Sequence, residues 1–444
     1  MKSLLLMLTF LLLLQACGGS ETVESPIISV DPDVCLNQTS MNTALWNYMD
    51  DWYLWNESLD NNTALEDFST LQSLINNIKE HNPIDRYSGV MPKDDFDNIF
   101  VNATNIGYGM GVKIDELNNE LVVSLVYELS NAQIIGLSRG DRIIAINDID
   151  LHQAIATGLF VWSEFWSEID VSQDVIFTWR TLEGAVITQA MKQSEVTTNT
   201  VFATKVLESS AGRIGYLVYN SFIDPSSEDL NQAFAYFKNE NIDELIVDLR
   251  YNHGGTSRMS NQLASQIGGD IIAGNIYNKP TNNANHQSDI ELFNLNGAEH
   301  YLNMSRVVFI TTQESSSGSE VLINSLKPYL DVKLVGQKTF GKPVGMRVTQ
   351  LCDQMVLAIT HHNHNADGFG DFFDGIAVDC PAVDSVAGGW GDLNDPMLSE
   401  AIYLVEHNQC STNQMTNNPV LKSLYKNKLP INLPLAELFD SNIL

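Results

Sequence analysis

Basic residues are scarce in this sequence. Its 444 residues include 24 lysines and arginines against 55 aspartates and glutamates, which gives a formal net charge of -31 at pH 7. Such an acidic chain repels phosphate backbones unless it carries a local basic patch, and the sequence shows none, which argues against nucleic acid as a partner. Global disorder is also excluded, because 44% of the residues are hydrophobic and only 18% are charged. The length exceeds what one core usually holds and predicts two or three domains.

Long hydrophobic runs are equally rare, and the run at the N-terminus is short. Apolar residues extend from Leu4 to Leu14, too few for a membrane-spanning helix but typical of a secretory signal. Leu14-Gln15-Ala16-Cys17 resembles the lipobox of bacterial lipoproteins, in which the cysteine becomes lipidated. We therefore expect a lipoprotein signal peptide over 1–17 with Cys17 as lipidation site, and a tether over 18–34 on the periplasmic side of a membrane. The alternative is an ordinary cleaved signal peptide with an incidental cysteine.

Cysteine is scarce too, and no two of the five cysteines stand at Cys-x-x-Cys spacing, which argues against a cysteine zinc site. In an exported protein, the four cysteines left after Cys17 are expected to form two disulfides. Four cysteines allow three pairings, and the sequence does not choose among them. Cys352 with Cys380 closes the shorter loop within one region and is the preferred pair, which leaves Cys35 and Cys410.

The rest of the chain divides into regions of different hydrophobic spacing. Apolar residues at helical spacing predict a small helical domain over residues 35–102. Short apolar alternations between glycine turns predict a β domain over 103–195. Residues 200–410 alternate strands with helices and predict an α/β core, followed by a C-terminal extension over 411–444. The predicted fold class is therefore multidomain α/β.

Part of the β region resembles PDZ domains. It contains Gly136-Leu137 and the run Gly140-Asp141-Arg142-Ile143-Ile144-Ala145-Ile146-Asn147, similar to a helix end and a strand of that family. PDZ domains bind an extended peptide as an added strand and hold its terminal carboxylate in a nest of backbone N-H groups. The resemblance implies that Gly109, Met110 and Gly111 form this nest. Asn131 stands where proline is usual in the family, so the peptide preference stays open.

The core region predicts a mostly parallel sheet covered by helices on both faces. Ile214 to Tyr219, Leu245 to Leu249 and Val307 to Thr311 are continuous apolar runs, and helical spacing appears between them. In open α/β sheets the active site lies at the carboxyl ends of the strands. The loops after Leu249 and Thr311 are therefore expected to carry the chemistry.

A hydroxyl and an amine stand in suitable surroundings after these strands. The loop after Thr311 continues as Ser315-Ser316-Ser317-Gly318-Ser319-Glu320 into a helical pattern, and a helix N-terminus offers N-H groups to a developing oxyanion. Taken alone, this run is equally compatible with a serine-rich helix cap. Further on, Lys342 is flanked by Phe340, Pro343 and Val344, and burial there would lower its pKa toward that of a base.

These residues are similar to the signatures of the C-terminal processing peptidases, the tail-specific serine proteases of peptidase family S41. In that family a serine nucleophile precedes a glutamate by 3 residues and a lysine base by 25, as positions 317, 320 and 342 do here. The run from Asp248 to Gly255 matches the family turn that donates to the oxyanion. The resemblance implies a serine endopeptidase that acts on exported proteins or peptides and needs no cofactor or metal. Its site would consist of Ser317 as nucleophile, Lys342 as base, Gly318, Gly254 and Gly255 as oxyanion donors, and Glu320 and Thr339 as supporting residues.

The sequence departs from the family at three positions near the site. Met346 stands where many members have a glutamine that orients the lysine, so other groups must hold the base or the activity is weaker. His253 occupies a usually small position beside the oxyanion turn, where it shapes a pocket or assists catalysis. Pro328 stands where some members have an aspartate, so no third catalytic residue is carried over.

Three other functions fit parts of the sequence. Gly336 to Lys342 satisfies Gly-x-x-x-x-Gly-Lys, but Pro343 lacks the hydroxyl and the N-H group of a nucleotide-binding loop. A catalytically inactive scaffold that only binds peptides stays open because of Met346. A metal-dependent hydrolase would use a cluster that lacks the i, i+4 helical placement of zinc proteases: His361, His362, His364, Asp367, Asp371 and Asp374.

Overall fold

The computed structural model describes residues 32–115, 118–158 and 171–411. The predicted signal peptide, the lipidation site Cys17 and most of the tether lie outside these residues, as does nearly all of the predicted C-terminal extension. Among the described residues, no helix is both long enough and apolar enough to cross a membrane.

The N-terminal region consists mainly of helices that start at polar caps. The side chain of Asn37 accepts a hydrogen bond from the Ser40 N-H at the first helix, and Thr70 accepts one from the Ser73 N-H at the second. A short strand follows the second helix and adds this region to a sheet of the core. The elements are α1 (Gln38–Trp52), α2 (Leu71–His81), β1 (Gly89–Pro92) and α3 (Lys93–Phe96).

The described residues of the second region form an antiparallel sheet with two short helices and its own apolar core. The strand order of its main sheet is β3-β4-β5-β7-β8, with β6 beside β5, while β2 pairs with β9. Phe177 and Trp179 are fully buried in its core. The elements are β2 (Thr104–Gly107), β3 (Met110–Asp115), β4 (Glu120–Val126), α4 (Asn131–Ile134), β5 (Arg142–Ile146), β6 (Ile149–Asp150), α5 (Leu151–Ala156), β7 (Val175–Arg180), β8 (Val186–Met191) and β9 (Ser194–Thr197).

The core region alternates strands and helices, and the mixed α/β class is confirmed. Its central sheet has the order β10-β11-β12-β16-β17-β20, in which β10 is antiparallel to β11 and the other pairs are parallel. The elements are β10 (Val201–Ser209), β11 (Gly212–Tyr219), α6 (Ser226–Glu240), β12 (Glu244–Asp248), α7 (Ser257–Gly268), β13 (Ile276–Asn278), β14 (Thr281–Asn282), β15 (Glu291–Leu292), β16 (Arg306–Thr311), α8 (Gly318–Leu326), β17 (Asp331–Gly336), β18 (Val344–Leu351), β19 (Gln354–His362), β20 (Cys380–Pro381) and α9 (Pro396–His407).

Helices pack on both faces of the central sheet, because its strands are apolar on both sides. On one face, Leu230 of α6, Leu263 of α7 and Leu322 of α8 share a core with Val247 and Phe309. On the other face, α9 packs against residues such as Ile246 and Val308. Neighbouring strands therefore end at one edge of a rigid, fully covered sheet.

A smaller sheet joins the N-terminal region to the core. In it, β19 pairs with β1, β14 and β18, all antiparallel. The apolar faces of α1 and α2 pack on the same sheet, since Leu45 and Leu74 share a core with Leu351 and Val356. The strand β18 begins two residues after Lys342, so the helical region lies against the segment that carries the predicted base.

Two disulfides are present, as predicted, but the preferred pairing is wrong. The bridges are Cys35–Cys352 and Cys380–Cys410 rather than Cys352–Cys380. Cys35 precedes α1 and Cys352 lies in the turn between β18 and β19, so the first bridge follows from the packing of the helical region on that hairpin. Loop length could not reveal this, because the first bridge joins residues 317 positions apart.

Candidate active site

The two loops singled out in the sequence lie side by side. Strands β12 and β16 are parallel neighbours, with Val247 opposite Phe309, so the loops that follow them leave the sheet at the same edge. Three hydroxyls of the serine-rich run donate to backbone carbonyls of the loop after β12: Ser315 to Leu249 at 2.7 Å, Ser316 to His253 at 2.9 Å, and Ser319 to Asn252 at 3.0 Å. Most of the serine run therefore holds the other loop in place.

Ser317 differs from its neighbours in backbone and side chain. Its φ is 52° and its ψ is -112°, a conformation that residues with a side chain rarely adopt and that costs about 1–3 kcal/mol. It immediately precedes α8, and its side chain is half-buried, whereas Ser315, Ser316 and Ser319 are buried. The strained turn thus presents one hydroxyl at a helix N-terminus.

The glycine turn after β12 fits closely against this hydroxyl. A Cβ atom on Gly254 would lie 2.7 Å from the Gly318 nitrogen and 2.8 Å from the Ser317 Cβ, so only glycine allows the approach. The Gly254 N-H donates to Asn252 Oδ1 at 2.8 Å. A Cβ atom on Gly318 would lie 3.4 Å from the Gly255 nitrogen, so the two residues are close neighbours, and their N-H groups are the better candidates among the predicted oxyanion donors.

Lys342 is buried, and its amine lies among weakly polar groups. The residue is only 9% exposed, its Nζ lies 3.7 Å from Met346 Sδ, and the ring centre of Tyr87 is 5.4 Å from Nζ. Burial lowers the pKa of Lys342 to about 8, against the opposing negative charges of Asp85 and Glu320. At neutral pH about one amine in ten is therefore unprotonated and able to accept a proton.

Glu320 joins the serine loop to the lysine loop through their backbones. One carboxylate oxygen accepts from the N-H groups of Ser317 at 3.0 Å and Lys342 at 2.8 Å. The other accepts from the Gly341 N-H at 2.7 Å and from Thr339 Oγ1 at 2.5 Å. Burial raises the pKa of Glu320 to about 7, and these four donors limit the rise.

The structure brings together the predicted nucleophile, base, glycines and supporting residues, although the reacting atoms are not yet in contact. Within the described residues, no hydrogen bond joins Ser317 Oγ to Lys342 Nζ, and the loops meet through Glu320. Catalytic hydrogen bonds in enzymes without substrate are often long and tighten only in the complex. The arrangement has the parts of an acyl-transfer site: a hydroxyl, a low-pKa amine and two amides.

Two residues beside the lysine were missed in the sequence. The Tyr87 hydroxyl donates to the Gly341 carbonyl at 2.6 Å, and Asp85 accepts from the Tyr87 N-H at 3.0 Å. Tyr87 and Gly341 are 254 positions apart. No spacing within the sequence relates them, because the contact depends on β1 pairing with β19.

The metal-site alternative receives no support from the described residues. The histidine rings have separate partners: His361 contacts Thr360 Oγ1, His362 the Gly370 carbonyl, and His364 the Lys279 carbonyl. The one candidate metal-binding group in the described part of the chain is Cys380, Glu400 and Cys410, and its two cysteines form a disulfide.

The nucleotide-loop alternative and the third catalytic position also find no support. The N-H groups of Gly341 and Lys342 donate to Glu320 instead of facing outward as in a phosphate-binding loop. Pro328 follows the end of α8, while Ser317 precedes its start.

The residues predicted to form a carboxylate nest are buried in the second region. Gly109 has a φ of 83°, and a Cβ there would lie 2.0 Å from the Ser130 Cβ. The Gly109 carbonyl accepts from the Ser130 hydroxyl, while Met110 and Gly111 pair with β4. Ser130 thus closes one side of the turn, and peptide binding there stays a prediction.

Comparison with known proteins identifies related sequences. The family model "Peptidase family S41" matches residues 213–381, and "Peptidase S41 N-terminal domain" matches residues 40–89. A "Probable CtpA-like serine protease" of Staphylococcus epidermidis is 22% identical over 298 residues, which cover 66% of this chain and 55% of that protein. A carboxyl-terminal-processing protease of a Picosynechococcus species is 23% identical over 308 residues, covering 64% of this chain and 68% of that protein. The chain thus spans about half to two thirds of the length of these relatives.

A solved structure described as an S41 protease from Bacteroides fragilis has the same fold. It superposes with a TM-score of 0.66 at 19% identity, over 81% of this chain and 96% of that chain. Together, the family models and the relatives show that this chain is similar in sequence to proteins of peptidase family S41.

Proposed function

We propose that this chain is a serine endopeptidase of the C-terminal processing type, with Ser317 as nucleophile and Lys342 as general base. The observation that carries the proposal is the Glu320 carboxylate, which fixes the backbone of both residues at once. It does so beside a lysine whose pKa is lowered by burial to about 8. Substrates would be exported proteins or peptides.

The reaction is an acyl transfer in which the lysine moves the proton. Neutral Lys342 takes the Ser317 hydroxyl proton as Oγ bonds to the peptide carbonyl carbon, and the oxygen that gains charge is stabilised by the Gly318 and Gly255 N-H groups. The C-N bond then breaks, and the Lys342 ammonium returns its proton to the leaving amine. Water then attacks the ester carbonyl carbon as Lys342 takes one of its protons, the bond from this carbon to Ser317 Oγ breaks, and Lys342 returns the proton to Oγ as the carboxylic acid product leaves.

Cleavage of fluorogenic peptides by the purified chain tests this function. Ser317→Ala and Lys342→Ala should each lower kcat by about a thousandfold or more, and the double variant should lose little more, because the two residues act as a unit. Lys342→Arg should also fail, since a guanidinium stays protonated. The matched control is Lys338→Ala, which removes an exposed lysine from the same loop. An active Lys342→Ala variant, or loss of activity with a chelator and recovery with zinc, would refute the dyad.

The PDZ-like module and the lipid anchor belong to the same proposal. If the module captures chain ends, peptides with a free terminal carboxylate should be cleaved faster than the same peptides with an amidated end. Equal rates would argue against tail capture. Cys17→Ser should abolish labelling of the exported protein by a fatty-acid probe, and unchanged labelling would exclude the anchor.

A further inference from the structure

The turn over residues 85–88, between α2 and β1, lies against the lysine loop. Tyr87 is 1% exposed, and its hydroxyl donates to the Gly341 carbonyl, one residue before the base. The face of the same ring lies 5.4 Å from Lys342 Nζ, within the range of a cation-π interaction. One side chain of the helical region therefore contacts both the backbone and the amine of the predicted base.

Asp85 holds this turn in shape. Its Oδ1 accepts from the N-H groups of Tyr87 at 3.0 Å and Ser88 at 2.9 Å, and its Oδ2 accepts from the Tyr53 hydroxyl of the segment after α1 at 2.8 Å. Ser88 Oγ accepts from the Ile359 N-H of β19 at 3.1 Å. The turn is thus fixed between the helical region and the smaller sheet, and Tyr87 has little freedom to move.

The remaining contact of the amine is too weak to orient it. Met346 Sδ, at 3.7 Å, is a thioether and only a weak acceptor. Lys342 has no ion pair within the ranges described. A buried ammonium therefore depends on the Tyr87 ring and on the negative charges of Asp85 and Glu320, and the 85–88 turn supplies the ring and one of these charges.

We propose that Tyr87 and Asp85 are positioning residues for Lys342. Tyr87 fixes the lysine backbone through Gly341 and offers its ring to the amine, while Asp85 fixes Tyr87 and supplies a negative charge to the same pocket. The helical region would then be part of the base site. This inference rests on the proposed peptidase function, in which Lys342 is the base.

The charges around Lys342 define what a titration should show. The 85–88 turn contributes Asp85, Arg86 and Tyr87, and α8 contributes Glu320. His361 on β19 lies behind Gly345, and burial lowers its pKa to about 4, so it is neutral in the range tested. Removal of Asp85 takes away a carboxylate that stabilises the ammonium and should lower the lysine pKa.

Direct titration of the Lys342 amine tests the effect of the Asp85 charge. In the full Ser317→Ala chain, the reactivity of Lys342 toward 1-fluoro-2,4-dinitrobenzene would be followed against pH by mass spectrometry. Adding Asp85→Asn should lower the Lys342 pKa by about half a unit or more. The matched control is Tyr48→Phe, which removes another tyrosine hydroxyl of the helical region that donates to a β18 carbonyl, that of Arg347 at 2.9 Å. An unchanged pKa in Asp85→Asn, or an equal shift in the control, would overturn the inference.

Peptide-cleavage kinetics of the active chain test the positioning role of Tyr87. Tyr87→Phe keeps the ring and removes the hydroxyl, which donates to the Gly341 carbonyl and accepts from Arg86, so kcat should fall about tenfold while KM stays the same. Tyr48→Phe should change kcat by less than about twofold. Equal effects of the two variants would overturn the positioning role even if Asp85→Asn failed to fold.

The two measurements separate the inference from the function on which it rests. If the unmodified chain cleaves no peptide while the Lys342 titration responds to Asp85, the proposed function fails and the positioning contacts stand. If the chain is an active dyad peptidase and both Asp85→Asn and Tyr87→Phe behave like the control, only the positioning inference fails.

Discussion

Glu320 and Asp384 are both buried carboxylates near the candidate site, but their partners differ. Glu320 accepts four hydrogen bonds from neutral donors and has no ion pair among the described residues. Asp384 is paired with Lys113 at 2.9 Å and Arg250 at 3.2 Å, and it accepts from the Tyr251 hydroxyl at 2.7 Å. One carboxylate joins two loops of the candidate site, and the other joins two regions of the chain.

The different partners move the two pKa values in opposite directions. Burial raises the pKa of Glu320 to about 7, because neutral donors offset only part of the loss of water. Burial also acts to raise the pKa of Asp384, but the positive charges of Lys113, Arg250 and Arg139 outweigh it and hold the pKa well below its usual range. Charge is thus fixed at Asp384 and sensitive to pH at Glu320.

The Asp384 cluster shows how the second region is attached to the core. Lys113 and Arg139 come from that region, and Arg139 also pairs with Asp395 at 3.3 Å, which pairs with Arg250 at 2.7 Å. The turn that begins at Arg250 leads to Gly254 and Gly255, the predicted oxyanion glycines. The cluster therefore supports the glycine turn of the candidate site, whereas Glu320 supports the serine loop and the lysine loop.

The largest expected effect follows from breaking the Asp384 cluster. Asp384→Ala leaves Lys113 with only the partly exposed Glu314 at 3.5 Å and removes one of the three carboxylates paired with Arg250, so it should lower the free energy of unfolding by about 3–5 kcal/mol. Denaturant unfolding measures this change. A loss below about 1 kcal/mol would show that Asp384 is not needed to balance the charges of the cluster.

A smaller loss is expected for Glu320→Gln. The amide can accept on one side only, so two of the four donors lose their acceptor, at a cost of about 1–3 kcal/mol in unfolding free energy. The donors that lose their acceptor are either the N-H groups of Ser317 and Lys342 or those of the lysine loop at Gly341 and Thr339, so kcat should fall as well. Wild-type kcat in the variant would contradict the role of Glu320 in joining the loops.

The pH dependence of stability should have opposite signs at the two carboxylates. The folded-state pKa of Glu320 lies above that of the unfolded chain, so its contribution to the free energy of unfolding should fall as pH rises from about 4.5 to 7. The folded-state pKa of Asp384 is lowered, so its contribution is present above pH 4 and is lost as pH falls further. Unfolding of the wild type, Glu320→Gln and Asp384→Asn across this range measures both. The same sign in both comparisons would refute the assignment of charges.

The smallest effect is expected at an exposed ion pair. The Arg258 guanidinium lies 2.6 Å from the Asp224 carboxylate, and the two side chains are 49% and 54% exposed, respectively. Solvent screening limits such pairs, and Asp224→Ala should lower the free energy of unfolding by less than about 1 kcal/mol. A loss comparable to that of Asp384→Ala would mean that burial does not distinguish the two sites.

The sequence predicted which loops lie together better than it predicted their surroundings. Ser317, Lys342 and the glycine turn were singled out because each follows a strand end and carries a family signature, and their catalytic roles stay predictions. Tyr87 and Asp384 were not found, because only tertiary packing brings them to these loops. The same limit explains the wrong cysteine pairing and the unforeseen strand β1. Only the family spacing separates Ser317 from Ser315, Ser316 and Ser319 in the sequence, whereas in the structure its backbone conformation and the contacts of the other hydroxyls distinguish it.

The most direct test of the Ser317–Lys342 pair is covalent labelling of the purified chain with a fluorophosphonate across pH. The account predicts a single adduct at Ser317, located by peptide mass spectrometry, whose rate of formation rises with an apparent pKa of about 8, the value expected for Lys342. In Lys342→Ala the rate should fall at least about a hundredfold and lose this pH dependence. An adduct at another residue, or labelling of Ser317 at an unchanged rate without Lys342, would contradict the pair.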